Sequence, residues 1–343
     1  MSNPLLFSRR SFLVMPLAFA AACKKGWSVL ELAGLTMGTG YKIVAIDHSQ
    51  AVDQAALQAD VDAALARVTA QMSNWDDASE ISRFNAASAG DSLTVSAEFY
   101  HVMQSAADVN AASDGRFDVT AGALFDLWGF GTKHNTGSMP TDAQIADALG
   151  CCGQKQSIAL HNGALGKLND GAQIYLSSIA KGFGVDLVAK TMAAHGITDY
   201  MVEIGGDLVT AGKNPEGQPW QIGIETPQSF DRGVMQVVGL SNMGMATSGD
   251  YRNFFEVDGQ RYSHMIDPTT GRPVTHNTAS VTVLTDNAML ADAWATALLV
   301  LGRDRGLALA NERGLAALFI ERSADASKGL VPTASDKFTS LTA

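Results

Sequence analysis

The stretch from Asp286 to Gly302, DNAMLADAWATALLVLG, constrains this chain more than any other. Asp286 or Asn287 can cap the start of a helix there, and Gly302 can close it. Between them Leu290, Ala291, Ala293, Ala295, Ala297, Leu298, Leu299 and Leu301 leave little polar circumference. A helix that is apolar on nearly every side belongs in an interior, so the fold must wrap around it. Asp292 interrupts that surface, and Thr296, four residues on, shares its face. A buried ionised carboxylate is costly unless a cation, an arginine or dense hydrogen bonding offsets it. A carboxylate and a hydroxyl are both hard oxygen ligands of the kind magnesium takes. The plainer reading is that Asp292 lies near the first turn and favours the helix dipole.

The other segments predict what does the wrapping. Trp27 to Asp47 reads as a strand or hairpin, with Gly38 and Gly40 for a tight turn or a close backbone approach to a ligand. Asp53 to Ser73 has Val61, Ala64, Leu65 and Val68 at helical spacing, and Ser96 to Ser113 is a second helix. Between them Trp75 stands in a polar loop, as an anchor for that loop or a stacking platform for a flat ligand. Ser157 to Leu168 reads as a hairpin turning at Asn162-Gly163. Ile174 to Asp186 passes from strand to helix through small residues. Backbone amides at such a junction attract anions, and Lys181 adds a positive charge, although its spacing is not that of a Walker A loop. A solvated lysine is the plainer use. Tyr200 to Ala211 is a strand broken by Gly205-Gly206, and further strands follow up to Leu284. Ala316 to Glu321 is the last expected strand, and the polar tail from Ser323, with residues 331–343 outside the domain, is expected to fray. There is no repeat, no clear linker and no regular βαβ alternation. The expected class is therefore α+β, one large domain over residues 24–330 with mixed, mainly antiparallel sheets and packed helices.

Residues 1–23 read as an export signal. Ser8-Arg9-Arg10-Ser11-Phe12-Leu13 is a twin-arginine pattern, and the apolar run Phe12 to Ala22 is too short to span a bilayer. Ala20-Ala21-Ala22-Cys23 resembles a lipoprotein cleavage box, with Ala where Leu is usual. Plain signal-peptidase cleavage nearby is the alternative. Either way the protein is expected in the periplasm, free or anchored to the inner membrane through Cys23. Beyond the signal the only cysteines are Cys151 and Cys152. They are candidates for a strained vicinal disulfide or simply two small loop residues, and no CxxC spacing supports zinc or thioredoxin chemistry. A formal net charge of -11 argues against nucleic acid as a partner, though a local site can still hold a nucleotide.

Several segments fall into one ordered pattern. They are Thr36-Met37-Gly38-Thr39, Met72-Ser73 with the aromatic Trp75, Phe117-Asp118-Val119-Thr120, and Leu127-Trp128-Gly129-Phe130-Gly131. Next come Ser178-Ile179-Ala180-Lys181-Gly182, Glu203-Ile204-Gly205-Gly206-Asp207 and Thr247-Ser248-Gly249-Asp250-Tyr251-Arg252. The last are Ser263-His264 through Ile266-Asp267-Pro268 to Gly271-Arg272-Pro273, and Ala291-Asp292-Ala293 with Thr296-Ala297. The set resembles the ApbE family, the FAD:protein FMN transferases, across nearly all of the chain after the signal.

The resemblance implies FAD as substrate and Mg²⁺ as cofactor. It implies cleavage of the FAD pyrophosphate, attachment of FMN to a Thr or Ser of an exported or membrane flavoprotein, and release of AMP. By position, Asp292, Thr296 and the carbonyl of Ser178 correspond to metal ligands. Met37, Trp75, Arg116, Phe117, Asp118, Thr120, Tyr175, Lys181 and Ile266 correspond to FAD contacts. His264, Asp250 and Lys181 fall in the motifs near the reacting phosphate, with His264 or Asp250 as proton acceptor. Two positions depart from the family: Tyr175 stands where an acidic residue is frequent, and Ala123 where Pro is common. The competing readings are an FAD pyrophosphatase, with water as acceptor, and an FAD-binding lipoprotein without chemistry.

Overall fold

The computed structural model describes residues 26–132, 139–228, 233–323, 325 and 329–343. The signal segment and Cys23 lie outside the described residues. Eight strands form the main sheet: β1 (Ser28–Thr36), β2 (Thr39–Asp47), β3 (Asp199–Ile204), β4 (Asp207–Ala211), β5 (Met243–Gly249), β6 (Thr278–Thr285), β7 (Ala316–Arg322) and β8 (Leu330–Ala334). They lie side by side in chain order, and every neighbouring pair is antiparallel. Antiparallel neighbours can be joined by tight turns, and the glycines supply two of them. Met37-Gly38 joins β1 to β2 with φ of 46° and 73°, and Gly205-Gly206 joins β3 to β4 with φ of 60° and 106°. The sheet agrees with the expected α+β class.

Both faces of the sheet are covered. Side chains of a strand alternate between faces, and β7 shows it. Ala316, Leu318 and Ile320 join a cluster under the hairpin of Trp220–Glu225 and Val234–Leu240. Ala317 and Phe319 instead join the large cluster built on the helices. Four helices matter there: α1 (Gln54–Met72), α2 (Ala97–Ala112), α3 (Ala180–Ala194) and α4 (Ala288–Arg313). Their caps follow the sequence: Asp53 accepts from the amides of Ala55 and Ala56, Ser96 from Phe99, and Asn287 from Leu290.

The apolar stretch is the buried spine of α4. Ala291, Ala293, Ala295, Ala297, Leu298 and Leu299 are all fully buried. Gly302 ends its first half with φ of 74° and ψ of 170°, after which the chain turns back into helix up to Arg313. The start of α4 is held unusually close to its neighbours. A Cβ on Gly182 of α3 would lie 2.3 Å from the Ala288 carbonyl oxygen, and one on Gly244 of β5 would lie 2.4 Å from the Ala288 nitrogen. Asp186 of α3 also accepts from the amides of Ala288 and Met289 at 2.8 and 2.9 Å. Two glycines and a carboxylate thus fix where Asp292 begins its turn.

Two expectations differ from the structure, and the choice left open at Cys151 and Cys152 falls on the plain loop residues. Residues 331–343 do not fray. They enter β8 and the helix Asp336–Thr342, whose Phe338 is buried against the second sheet face. One aromatic anchor in an otherwise polar stretch is a weak signal of burial. Ile174 to Ile179 forms no strand, only a turn-rich approach to α3, although Tyr175 donates its amide to the Val119 carbonyl. Cys151 and Cys152 are both free thiols, and Cys152 is buried. Among the described residues no helix is long and apolar enough to cross a membrane.

Candidate active site

The charged centre lies where α3, α4 and the β3–β4 turn meet. Lys181, in the first turn of α3, binds Asp207 at the start of β4, and its ammonium lies 3.6 Å from Asp292. Asp292 is 4% exposed and takes one backbone bond, from the Gly182 amide at 3.2 Å. Burial and the neighbouring Asp207 push its pKa up to about 7, against the opposing pull of Lys181 and the Gly182 amide. Burial alone would lower the Lys181 pKa, but Asp207 and Asp292 together raise it, so the ammonium stays charged. Glu203, whose carboxylate accepts from the Gly206 amide at 2.5 Å, is pushed up to about 6 by burial.

Thr296 lies one turn along α4 from Asp292, and its hydroxyl sits 3.0 Å from that of Ser248 on β5. Thr247 pairs with Thr282 at 2.8 Å on the other face of the sheet. The Thr296 and Ser248 hydroxyls are therefore the ones on the α4 face, one helical turn from the carboxylate. Ser178, in the turn before α3, is half-buried. Lys181, Asp292 and Thr296 are thus brought together, and Asp207 and Ser248 join them. Both newcomers lie in motifs that the sequence comparison singled out. The signal that would have found Asp207 is electrostatic, because a lysine in an apolar site needs a carboxylate partner.

His264 is held by a single carbonyl. Both its backbone amide and its Nδ1 lie 3.0 Å from the Asn253 oxygen, and its ring meets Phe130 edge-on at 6.2 Å. Burial lowers its pKa, the Asn253 bond and Asp250 oppose that, and Lys181 adds to it. A ring that donates Nδ1–H to a carbonyl keeps the Nε2 lone pair for a proton. Asp250 is engaged in a two-bond ion pair. Both its oxygens accept from Arg322, at 2.6 and 2.8 Å, and it is 7% exposed. Of the two residues expected to take the proton, Asp250 is thus paired with a cation, while Nδ1 of His264 bonds a backbone carbonyl.

The remaining residues form a flank of different character. Met37 sits at the β1–β2 turn with its Cε over α3, where a Cβ on Gly184 would come within 2.8 Å of it. Trp75 is 71% exposed and meets Tyr175 edge-on at 6.5 Å. The Tyr175 hydroxyl accepts from the Thr132 amide at 2.7 Å and also reaches Asp126 and the Thr132 hydroxyl, so it is committed to the loop at 126–132. Asp118 accepts from the Thr120 hydroxyl and amide and from the Gly153 amide, at 2.6, 2.8 and 2.9 Å. Arg116 binds Asp267 and, at 2.5 Å, the Thr269 hydroxyl. Phe117 and Thr120 are core residues, 1% and 0% exposed, and stand behind the surface. The Phe117 amide and carbonyl are already bonded to Ser113 and Asn110. Ile266 is likewise buried, beside Leu124 and Trp128.

An antiparallel sheet wrapped on one buried helix is a fold this chain shares with solved flavin transferases. A flavin transferase ApbE from Vibrio cholerae superposes with a TM-score of 0.85 at 39% identity, over 92% of this chain and 99% of that one. The apo flavinyl transferase ApbE of Pseudomonas stutzeri gives 0.85 at 37%, over 92% and 97%. The ApbE family model matches residues 37–319, and the chain belongs to the ApbE family. Among curated relatives, the FAD:protein FMN transferase of Haemophilus influenzae is 42% identical over 328 residues, 94% of each chain. That of Vibrio cholerae is 40% identical over 312 residues, 91% of this chain and 93% of its own.

Proposed function

We propose that this chain is an FAD:protein FMN transferase that moves FMN from FAD to a threonine or serine of an exported flavoprotein. The observation that carries the reading is the charge count at the buried centre. Asp207 and Asp292 share one ammonium, Lys181, so the cluster is one positive charge short. A cation fits that deficit. Among the described residues no three His, Cys, Asp or Glu side chains gather as a metal cluster. One carboxylate with neutral oxygens and substrate phosphates is the set magnesium takes. Asp292, the Thr296 hydroxyl and the Ser178 carbonyl are the residues to hold it. Bound there, Mg²⁺ would neutralise charge on the pyrophosphate oxygens.

The chain's own groups do the rest. Lys181 supports the phosphate charge that builds as the bond breaks. His264 Nε2 accepts the proton of the acceptor hydroxyl as that oxygen bonds to the FMN-side phosphorus. The P–O bond to the AMP half breaks, and AMP leaves with the bridging oxygen. Trp75 offers an exposed ring face to a flat ring of the dinucleotide. The twin-arginine pattern supports a periplasmic site for this reaction, with Cys23 as a lipid anchor if the cleavage box is used.

Incubating the protein with FAD, Mg²⁺ and a threonine-bearing flavoprotein subunit stripped of flavin tests the reading. The expected result is a mass gain of one FMN on the acceptor, dependent on the protein and abolished by chelation. Rapid release of FMN and AMP without any acceptor, and no mass gain with one, would make it a pyrophosphatase instead.

A further inference from the structure

Arg322 lies just past residues 37–319, which the family model matches, and its guanidinium reaches the site. It is the last residue of β7, and its amide donates to the Asn277 carbonyl at 2.9 Å. Both arms of its fork bind Asp250, directly after β5. Planar two-bond pairing of this kind fixes orientation as well as distance. Asp250 in turn organises the chain that leads to His264. Its amide donates to the Ala279 carbonyl at 3.0 Å. Its carbonyl accepts from Arg261 at 3.1 Å, and the Arg261 guanidinium lies 3.7 Å over the Phe254 ring. Phe254 pairs with Ser263 and Glu256 with Arg261, so Phe254 and Arg261 are diagonal neighbours on one face of the hairpin that runs from Asn253, the carbonyl partner of His264, to Ser263 beside it.

We propose that Arg322 is a positioning residue for His264. By gripping Asp250 it anchors the hairpin between Asn253 and His264 and balances the one carboxylate that acts on the imidazole from β5. The inference rests on His264 being the proton acceptor of the transfer. The charged groups that act on that ring are Asp250 from the end of β5 and Lys181 from α3. Behind Asp250 stand Arg322 from β7 and Arg261 from the hairpin. Without Arg322 the Asp250 charge is left uncompensated and favours the imidazolium.

The test is a titration of the His264 ring protons by NMR in the full mature chain, beside the pH profile of FMN transfer. In Arg322→Gln the His264 midpoint is expected to rise by about one unit. The acid limb of kcat/KM should move up with it, while the KM for FAD holds. Arg322→Lys, which keeps the charge but not the fork, should restore most of the midpoint. The double variant Asp250→Asn with Arg322→Gln removes both charges and should return the midpoint toward the original value. It also serves if the single variant folds poorly. An unmoved midpoint in Arg322→Gln, or a raised one that survives in the double variant, overturns the proposal. The titration needs no turnover, so a wild-type protein that fails to transfer FMN would reject the functional reading without touching this result.

Discussion

The two ends of the site are built on opposite principles. At the Lys181 end, carboxylates are buried in excess of cations, and burial drives Asp292 and Glu203 toward the neutral form. At the Trp75 end, most polar groups are already matched, Asp118 by Thr120 and Gly153, Tyr175 by Thr132, Arg116 by Asp267, although burial still raises the Asp118 pKa and the Arg116 Nε has no partner among the described residues. What that end leaves open is one aromatic face. An unbalanced cluster waits for its ligand to complete it, whereas a matched one is rigid before the ligand arrives. The first arrangement suits interactions that grow as charge moves, and so sets rate. The second binds ground state and transition state alike, and so sets affinity.

That division gives its largest effect at Asp292. Asp292→Ala is expected to cut FMN transfer by about 10³-fold or more, because it removes the one carboxylate able to fix the cation over the phosphates. The fold should survive, since Lys181 keeps Asp207 as its partner. Acceptor mass spectrometry and circular dichroism measure the two. Magnesium-dependent transfer persisting in this variant would reject the metal assignment and erase the contrast between the ends. Trp75→Ala should act on the other quantity. Loss of one stacked ring raises the KM for FAD by about 10-fold, with kcat changed less than about 2-fold. A kcat loss as large as the KM rise would mean that both ends share in the chemistry.

Much of this was legible in the sequence, for reasons that differ by element. The start and kink of α4 were readable because Asn287 and Gly302 act through local backbone chemistry. The β1–β2 and Asn162-Gly163 turns were readable for the same reason, with φ of 48° and 77° at the latter pair. The coupling of Asp292 to Lys181 was legible only as a puzzle, a carboxylate in an apolar helix. Its answer depends on residues 111 positions apart meeting across two helices. Asp186 gave no signal at all, because an acid in the middle of one helix caps another only once both are packed. Arg322 and Phe338 were hidden in the same way. Each sits in a polar stretch, and each is tied down by a long-range partner that composition cannot reveal.

The smallest effect, and the sharpest check on the excess-charge argument, concerns stability. The folded pKa of Asp292, about 7, lies above its ordinary value of 3.8. Between those values the native state holds a proton that the unfolded chain has released. Stability of the metal-free protein should therefore rise as pH falls from above 7 toward 4, and the carboxylate is a liability at pH 8. Asp292→Asn removes that liability. It should raise the melting temperature at pH 8 by about 2–4 °C, on the order of 1 kcal/mol, with a smaller gain at pH 5. Glu203 and Asp186, both near 6, add slopes of the same sign, but they are present in both proteins and cancel in the difference. Mg²⁺ at pH 8 should stabilise the wild type and leave the variant unmoved. A variant that melts below the wild type at pH 8 without metal would show that Asp292 is balanced after all, and the two ends would then be alike.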